Sequence, residues 1–347
     1  MILPAGAQDS HLSFLSLISI GHFHPSTVID NPFLTSLDIG VDANWVIERV
    51  GIKERHTVLP LDYIRQTKNS DARASAEASM FTDAQTGAKA ASHALDRAGL
   101  KANDIGMVIA GGCSPQLTIP AQACLTAAEL QIECPAFDVN SACSSFAAQL
   151  HLLNGMRPEA LPDYILVVNV ENNTRTVNYS DRRTAVLWGD CSTAAIVSPR
   201  VPGRARIDAS VLHSDPSGWK HVMIPAGGHF QQDGQAVQAF AIRKTVATLD
   251  ELAADLPAES QPAFIGHQAN ALVLEAVCRR RGTPPEQHFF NVDRFGNCGA
   301  AGAPSVLSQN WDRINRGYLS VAVVGSGLTW GGVRFNFSGA NSKGDAA

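Results

Sequence analysis

"CPAFDVNSACSSFAAQL" (residues 134–150) and "HFFNVDRFGNCGAAGAP" (residues 288–304) share one layout. Each begins with a strand-like stretch that contains Phe-x-Val. A polar turn follows, then a residue of a functional type, and then a helical stretch of small side chains. Two such units in one chain suggest a duplicated core whose halves face each other.

The rest of the chain alternates strand-like apolar runs with helical patterns. A helix is predicted over Asp83–Ala98, because Thr82 and Gln85 form a capping box and Gly99 provides a C-terminal stop. Other helices are expected to begin near residues 120, 143, 237, 270 and 300. Strands are predicted at residues 12–20, 107–110, 136–139, 164–170, 193–197, 263–266, 288–292 and 319–324, and residues 201–234 are expected to be irregular. This alternation predicts α/β layers.

Composition narrows the class of protein. The 347 residues, 45% of them apolar, suffice for one large domain or two tightly joined ones. The net charge of 27 − 32 = −5 gives no general basic field for nucleic acid, and the run Arg279, Arg280 and Arg281 is the one dense basic cluster. No apolar run reaches the roughly 18 residues of a membrane span. Seven cysteines without C-x-x-C spacing argue against a disulfide framework or zinc ribbon and predict a reducing cytoplasm.

Cys143 is the first candidate for chemistry. It follows the predicted strand and the turn at Asn140 and Ser141, and it is expected to open a helix. The positive end of a helix dipole lowers the pKa of a thiol, which would make Cys143 a nucleophile. The alternative is a buried structural cysteine, a frequent fate of this residue type.

Three further segments each follow a predicted strand. His267 lies in "GHQAN", Asn297 lies in "FGNCGAAGAP", and "GSGLTWGG" spans residues 325–332. Taken singly, they could be a core histidine, a turn asparagine and a strand-to-strand turn. Together with Cys143 they are the parts of thioester chemistry. The thiol attacks a carbonyl, backbone N–H groups hold the oxyanion, and the imidazole and amide donate hydrogen bonds to an enolate.

"DVNSACSSF", "GHQAN", "RFGNCGAAGAP" and "GSGLTWGG", in this order, resemble the β-ketoacyl-acyl-carrier-protein synthase III family of the thiolase superfamily. "NWVIERVGIKERH" (44–56) and "WGDCSTAAIV" (188–197) extend the resemblance over residues 12–337. It implies a five-layered αβαβα thiolase-like α/β fold made of two related halves. Residues 12–200 would form the N-terminal half with the nucleophile, and residues 201–340 the C-terminal half with His267 and Asn297.

The resemblance also implies roles for individual residues. It implies a catalytic triad of Cys143, His267 and Asn297, and an oxyanion hole formed by the backbone N–H groups of Cys143 and Ser326. Trp45 and Arg49 match positions that contact the coenzyme A nucleotide, although Trp45 could equally be a packing residue.

Two positions depart from the family pattern and concern substrate choice. Ile119 stands where members often carry a Phe that reaches into the partner subunit's acyl pocket. Leu272 stands at a common position of an arginine that docks the carrier. Arg279, Arg280 and Arg281 either take over this docking or simply cap the C-terminus of their helix.

The sequence therefore predicts a decarboxylating condensing enzyme. Cys143 would accept an acyl group from acyl-CoA, and a malonyl thioester, expected on acyl carrier protein, would lose CO₂ and attack it to give a β-ketoacyl product. We expect a cytoplasmic homodimer without metal or redox cofactor, and without nucleic-acid or membrane partners. The alternatives are a type III polyketide-type synthase, a simple acyltransferase and a non-catalytic partner subunit. Asn297 favours condensation over transfer, because transfer forms no enolate.

Overall fold

The computed structural model describes residues 15–337, so the predicted positions 12–14 and 338–340 lie outside the described residues. The strands are β1 (Ser16–Phe23), β2 (Thr27–Asp30), β3 (Glu54–Thr57), β4 (Met107–Gly111), β5 (Ala136–Asp138), β6 (Ile165–Glu171), β7 (Cys191–Ser198), β8 (Ala205–Ser214), β9 (Val222–Met223), β10 (Gln231–Gln232), β11 (Ala263–Gly266), β12 (His288–Phe289), β13 (Gly317–Gly325) and β14 (Thr329–Phe337).

The α-helices are α1 (Asn31–Ser36), α2 (Ala43–Val50), α3 (Leu61–Thr67), α4 (Ser75–Ala78), α5 (Asp83–Ala98), α6 (Gln122–Glu129), α7 (Ser145–Asn154), α8 (Arg182–Ala185), α9 (Gly234–Leu252), α10 (Ala271–Arg281), α11 (Val292–Phe295) and α12 (Gly299–Gln309). Short 3-10 helices lie at Ala102–Asp104, Pro158–Ala160, Asn173–Thr176, Pro216–His221 and Pro285–Gln287. Within residues 15–337, no helix is long and apolar enough to cross a membrane.

The main sheet repeats one five-stranded pattern. Its ten strands run in the order β12-β11-β13-β14-β8-β1-β7-β6-β4-β5. In the first half β4 is parallel to β5 and β6, and β7 is antiparallel to β6 and β1. In the second half β11, β12 and β13 are related in the same way, and β14 is antiparallel to β13 and β8. The predicted fold of two related halves is therefore confirmed, whereas their boundary at residue 200 stays a prediction.

Helices cover both halves and also separate them. Helices α5 and α6 pack on the strands of the first half, and α9 packs on β8, β13 and β14 of the second half with α10 beside it. Helix α7 contacts β8 and β14 as well as β6, and α12 contacts β1 and β7 as well as β11. The two central helices thus lie between the two halves of the sheet. This arrangement gives the five layers αβαβα.

The central helix α12 can lie there because its first turns are made of small residues. Residues 299–308 of this helix are all buried. At Gly302, a Cβ atom would come within 3.0 Å of the Cβ of Gln268, so a larger side chain would push the helix away from the residue after His267. Small side chains in the second of the two matching segments are therefore a packing requirement.

The predicted capping of α5 is confirmed. The hydroxyl of Thr82 accepts a hydrogen bond from the backbone N–H of Gln85 (3.2 Å), and the side-chain carbonyl of Gln85 accepts one from the N–H of Thr82 (3.0 Å). Gly99 ends the helix in the left-handed conformation with φ 66°.

The expectation that residues 201–234 are irregular is wrong for residues 205–214. This segment contains β8, a ten-residue strand that adjoins β1 through the pairs Ser16↔Arg206 and Leu17↔Ala205. The strand was not recognised in the sequence because the charged residue Asp208 interrupts its apolar pattern. In the structure the carboxylate of Asp208 accepts a hydrogen bond from the Arg334 guanidinium on β14 (2.9 Å), which compensates its burial.

The strand predicted at residues 288–292 is too long. Only His288–Phe289 pairs with β11, and Val292 begins helix α11. The side-chain carbonyl of Gln268 accepts hydrogen bonds from the N–H groups of Asn291 (2.9 Å) and Val292 (3.2 Å). These N–H groups are therefore satisfied by a side chain and not by a neighbouring strand.

We expect Gly21→Ala to destabilise the protein strongly. A Cβ atom at Gly21 on β1 would lie 2.3 Å from the carbonyl oxygen of Ala90 and 2.5 Å from the nitrogen of Ala94, both backbone atoms of α5. Overpacking of this kind costs about 1–3 kcal/mol, and more where backbone has to shift. The free energy of unfolding in urea is the measurement. Gly155→Ala is the matched control, since its nearest neighbours would lie at 3.5 and 3.6 Å. An equal loss in both variants would contradict the expected clash.

Candidate active site

Three parallel strands in each half are followed by a polar residue, and these residues meet at one edge of the fold. They are Cys113 after β4, Cys143 after β5 and Glu171 at the end of β6, with His267 after β11, Asn297 after β12 and α11, and Ser326 after β13. The carboxyl ends of parallel strands are where α/β folds place ligand chemistry. Because the strand orders of the halves match, each residue of the first set has a counterpart in the second.

Cys143 lies on a tight turn before α7 and not in the helix. Ala142 has a positive φ of 46°, and the N–H of Ser144 donates to the carbonyl of Ser141 (3.0 Å). The prediction that Cys143 opens the helix is therefore wrong by two residues, because the left-handed Ala142 closes a turn before helical hydrogen bonding starts at Ser145. A non-glycine residue with such a φ is uncommon and is often found at functional sites.

A second thiol lies against that of Cys143. The Sγ atoms of Cys113 and Cys143 are 3.3 Å apart, and Cys143 is 6% exposed. The hydrogen bond from Cys113, and then the hydrogen bond and charge of His267, lower the pKa of the Cys143 thiol against the opposing effect of burial. The pKa of Cys113 is raised well above its ordinary value by the same sulfur contact and by burial. The predicted thiolate therefore owes its stability to side chains from both halves of the chain.

His267 is buried directly after β11, as its position in the sequence indicates. The next residue, Gln268, fixes this turn, since its side-chain amide donates to the carbonyl of Gly266 (2.7 Å). The Nδ1 atom of His267 is buried and makes no hydrogen bond with the described residues. The imidazole lies close enough to Cys143 to lower the pKa of its thiol.

Asn297 has its side chain oriented by the start of α12. Its side-chain carbonyl accepts a hydrogen bond from the N–H of Gly299 (2.9 Å). Its backbone N–H donates to the carbonyl of Leu187 (2.8 Å), and its backbone carbonyl accepts from Gly189 (3.1 Å). With the oxygen of the amide occupied, the side-chain NH₂ is the group left to donate to a ligand.

The glycine-rich segment 325–332 lies against the turn that carries Cys143. A Cβ atom at Gly325 would be 2.9 Å from the backbone nitrogen of Ser144, so glycine permits this approach. The hydroxyls of Ser144 and Thr329 are 2.6 Å apart and join the two segments. Residues 326–328 form the loop, and β14 begins at Thr329. The backbone of Ser326 is thereby brought beside the nucleophile's turn.

Glu171 is a buried carboxyl that the sequence analysis missed. Its oxygens accept hydrogen bonds from the N–H of Cys113 (2.9 and 3.1 Å) and from the N–H of Ala300 on α12 (2.6 Å). Burial, and then the negative charge of Cys143, raise its pKa to about 8. The available signal was an acidic residue at the end of the otherwise apolar strand "ILVVNVE". Glu171 joins the first half of the chain to the second at the site.

The proposed coenzyme A contacts lie on α2. Trp45 is partly buried, and the guanidinium of Arg182 lies 5.6 Å from the centre of its ring. Arg49 is exposed one turn further along the same helix. Sequence reasoning missed Arg182, because its approach to Trp45 depends on the fold. A guanidinium over the face of an indole is a favourable cation–π contact.

Two of the predicted specificity residues lie apart from the nucleophile's turn. Ile119 is 81% exposed in the single chain. Leu272 lies in the first turn of α10, where its N–H donates to the side chain of Asn270 (2.8 Å). Among residues 15–337, no group of three or more His, Cys, Asp or Glu side chains is arranged to hold a metal ion.

Comparison with known proteins identifies the family. The family model of 3-oxoacyl-(acyl-carrier-protein) synthase III matches residues 137–216, and that of its C-terminal part matches residues 253–337. The β-ketoacyl-(acyl-carrier-protein) synthase III of Syntrophomonas wolfei is 31% identical over 92% of this chain and 96% of that protein. The chain belongs to the β-ketoacyl-(acyl-carrier-protein) synthase III family. The resemblance seen in the sequence is confirmed.

Members of the family also share the fold. The β-ketoacyl-(acyl-carrier-protein) synthase III of Xanthomonas campestris is 30% identical over 90% of this chain and 94% of that protein. The crystal structure of 3-oxoacyl-(acyl-carrier-protein) synthase III from Aquifex aeolicus has a TM-score of 0.82 at 26% identity and covers 93% of this chain and all of that one. The priming β-ketosynthase of the R1128 polyketide pathway, at 22% identity and a TM-score of 0.77, shows the fold alone.

We expect Cys143 to be alkylated by iodoacetamide at nearly its full rate already at pH 7. Only the thiolate reacts, and the lowered pKa of Cys143 makes the thiolate the main form at neutral pH. Peptide mass mapping of the rate between pH 5 and 9 is the measurement. Cys298, whose pKa is raised by burial, is the internal comparison and should stay unmodified at pH 7. A tenfold increase of the Cys143 rate per pH unit between 7 and 8 would show an unshifted thiol.

Proposed function

We propose that this chain catalyses the decarboxylating condensation of an acyl-CoA primer with a malonyl thioester, giving a β-ketoacyl thioester through an acyl-Cys143 intermediate. The observation that carries the proposal is the set of groups around one thiol, contributed by both halves: an imidazole, an amide NH₂ and a glycine-rich loop. Its membership of the β-ketoacyl-(acyl-carrier-protein) synthase III family supports this reaction.

In the first half-reaction the Cys143 thiolate attacks the thioester carbonyl of acyl-CoA. A bond forms between Sγ and the carbonyl carbon, and the oxygen becomes an oxyanion. The proposed donors to this oxyanion are the backbone N–H groups of Cys143 and Ser326, and the contact between Gly325 and Ser144 supports their proximity. The intermediate collapses with release of the coenzyme A thiolate. One donor of this kind is worth roughly 10²–10³ in rate.

In the second half-reaction a malonyl thioester takes the place of coenzyme A. Its thioester oxygen would accept hydrogen bonds from His267 and from the side-chain NH₂ of Asn297. The bond to the carboxylate carbon breaks, CO₂ leaves, and the resulting enolate attacks the acyl carbonyl and releases the Cys143 thiolate. The hydrogen bond from the Gly299 N–H to the Asn297 side-chain carbonyl supports this role, because it leaves the NH₂ of the amide as the group that can donate.

The same fold could support simple acyl transfer or a polyketide-type condensation. Transfer to an alcohol or amine forms no enolate, so the fixed Asn297 amide would have no task in it. The intact set of Cys143, His267 and Asn297 also argues against a non-catalytic partner subunit. A condensation, whichever carrier brings the extender, is therefore the reaction that gives Cys143, His267 and Asn297 each a task.

The proposed coenzyme A site uses the exposed side of α2. Trp45 and Arg182 would hold the adenine ring between them, and Arg49 would pair with a phosphate. The contact of the Arg182 guanidinium with the Trp45 ring supports this arrangement. Both substrates carry their activating group as a thioester, so the proposed reaction needs no metal or redox cofactor.

A homodimer is proposed from the exposed apolar surface near the edge strand β5. Phe137 on this strand is 43% exposed, and Leu117 and Ile119 in the loop between β4 and α6 are 46% and 81% exposed. An edge strand with apolar side chains invites pairing with another copy. In such a dimer Ile119 would reach the acyl pocket of the partner subunit. A primer longer than acetyl is proposed, since Ile leaves more room than Phe.

The proposed carrier contact is the groove between α9 and α10. It is lined by Arg243, Arg279 and Arg280 together with the apolar side of both helices. Arg281, which we also considered from the sequence, is only 15% exposed and lies 3.5 Å from Asp250, so it is occupied by an ion pair. Acyl carrier protein would be the acidic partner of this groove. We also propose a cytoplasmic location, where the seven free cysteines would stay reduced.

We expect acyl-CoA to add one acyl group to Cys143, and Asn297→Ala to separate the two half-reactions. The variant should still be acylated but should lose CO₂ release from malonyl thioester at least a hundredfold, because enolate stabilisation is needed only in the second step. Intact-mass and peptide-mass measurements follow acylation, and release of labelled CO₂ follows decarboxylation. Acylation at Cys191 or Cys298, or full CO₂ release by the variant, would be incompatible with the proposal.

We expect Arg280→Glu to raise the KM for malonyl-acyl carrier protein at least fivefold and to weaken its dependence on salt, because the exposed cation attracts an acidic carrier. Acylation by acyl-CoA should change less than twofold, since that step needs no carrier. Arg157→Glu is the matched control, an exposed arginine just beyond the end of α7 opposite to Cys143. Unchanged carrier kinetics in Arg280→Glu would leave the arginines as a helix cap and favour a CoA-bound extender.

A further inference from the structure

We propose that Cys113 is a positioning residue for the nucleophile Cys143. In this role Cys113 donates its thiol hydrogen to the sulfur of Cys143. The inference rests on the proposed function, because it assumes that Cys143 attacks the acyl thioester. Its basis is the 3.3 Å contact between the two Sγ atoms inside the site, where both residues are free cysteines.

The position of Cys113 in the fold matches that of His267. Cys113 follows β4, and His267 follows β11, the strand at the equivalent place in the other half. In each half this strand lies between the edge strand and the strand that ends in the site. The sulfur of Cys143 is therefore approached from the first half by a thiol and from the second half by an imidazole.

The backbone of Cys113 is held in place by Glu171. Its N–H donates to both carboxyl oxygens of this residue, at 2.9 and 3.1 Å. The preceding Gly112 lies so close to the end of β6 that a Cβ atom there would come within 2.6 Å of the carbonyl oxygen of Val170. The loop that carries Cys113 cannot easily recede from Cys143, which fixes the distance between the two sulfurs.

The direction of the hydrogen bond follows from the surroundings of each thiol. The contact with Cys143, burial and the neighbouring Glu171 carboxyl all raise the pKa of Cys113, whereas Cys143 has its pKa lowered by Cys113 and by His267. Cys113 therefore keeps its proton and Cys143 carries the charge. A hydrogen bond from a neutral donor to a charged acceptor is stronger than a hydrogen bond between two neutral groups.

The hydrogen bond changes during the proposed cycle without transfer of a proton or an electron. In the resting state the Cys113 S–H points at the Cys143 thiolate. When a lone pair of that sulfur forms the bond to the acyl carbon, the acceptor loses its charge and the contact weakens. When the β-ketoacyl product leaves, the thiolate is restored and accepts the same hydrogen again. Cys113 thus favours the thiolate form of Cys143 and fixes the position of the Cys143 sulfur.

The test is a thiolate titration by absorbance at 240 nm in fully reduced protein. Subtracting the titration of the matching Cys143→Ala variant isolates the nucleophile. Cys113→Ala should raise the midpoint of Cys143 by about one pH unit, which lowers the thiolate fraction about tenfold at pH values below both midpoints. Cys113→Ser, which keeps a donor, should restore the midpoint to within about 0.3 units of the unmodified protein.

Cys124→Ala controls for the loss of a thiol as such, because this cysteine donates to the carbonyl of Ala136, away from the nucleophile (3.3 Å). Should Cys113→Ala fail to fold, Cys113→Val provides a second side chain without a donor and of closer volume. An unchanged midpoint in the donor-free variant would overturn the inference while acylation by acyl-CoA still supports the proposed function. Absence of an acyl adduct on Cys143 in the unmodified protein would overturn the proposed function itself.

Discussion

The two central helices have to fit between two layers of strands, and this fit determines where the catalytic residues lie. Helices α7 and α12 each contact strands of both halves, and their first turns consist mainly of Ser, Ala and Gly, with Phe146 as the one large buried residue in the first turn of α7. This close fit fixes the level at which each helix begins. The turn that carries Cys143 and the turn that carries Asn297 are those beginnings. A larger residue at one of the small positions, such as Gly302, would therefore move a helix start and the catalytic group beside it.

Much of this fold could be predicted from local patterns, and the exceptions have long-range causes. The capping box of α5 and the buried strand β6 depend on neighbours in sequence, and both were predicted. Strand β8 was missed because the partner of Asp208 is Arg334, which lies far along the chain. The candidate site shows the same division. His267 and Asn297 follow recognisable strands, whereas the contact of Cys113 with Cys143 depends on the parallel pairing of Val108 with Ala136.

Two acidic groups, the Glu171 carboxyl and the Cys143 thiol, are buried close together in the site. Burial and the negative charge of Cys143 raise the pKa of Glu171. Cys113 lies between the two groups, since its backbone N–H donates to the Glu171 carboxyl and its Sγ contacts the Sγ of Cys143. The N–H of Ala300 supplies another donor to the carboxyl. Donors from the protein thus replace the water that either group would need. These donors are backbone N–H groups of Cys113 and Ala300.

The junction of Glu171 with α12 limits how the chain can be recombined with its relatives. The carboxyl comes from the first half, and it needs Gly299 in the second, where a Cβ atom would lie 2.4 Å from its oxygen. A hybrid that joins the halves of two parents inherits the acid from one and the residue facing it from the other. Crossovers between residues 171 and 299 are therefore safe only for parents that agree at both positions. For anyone shuffling such sequences, this pair is a stricter compatibility rule than overall identity.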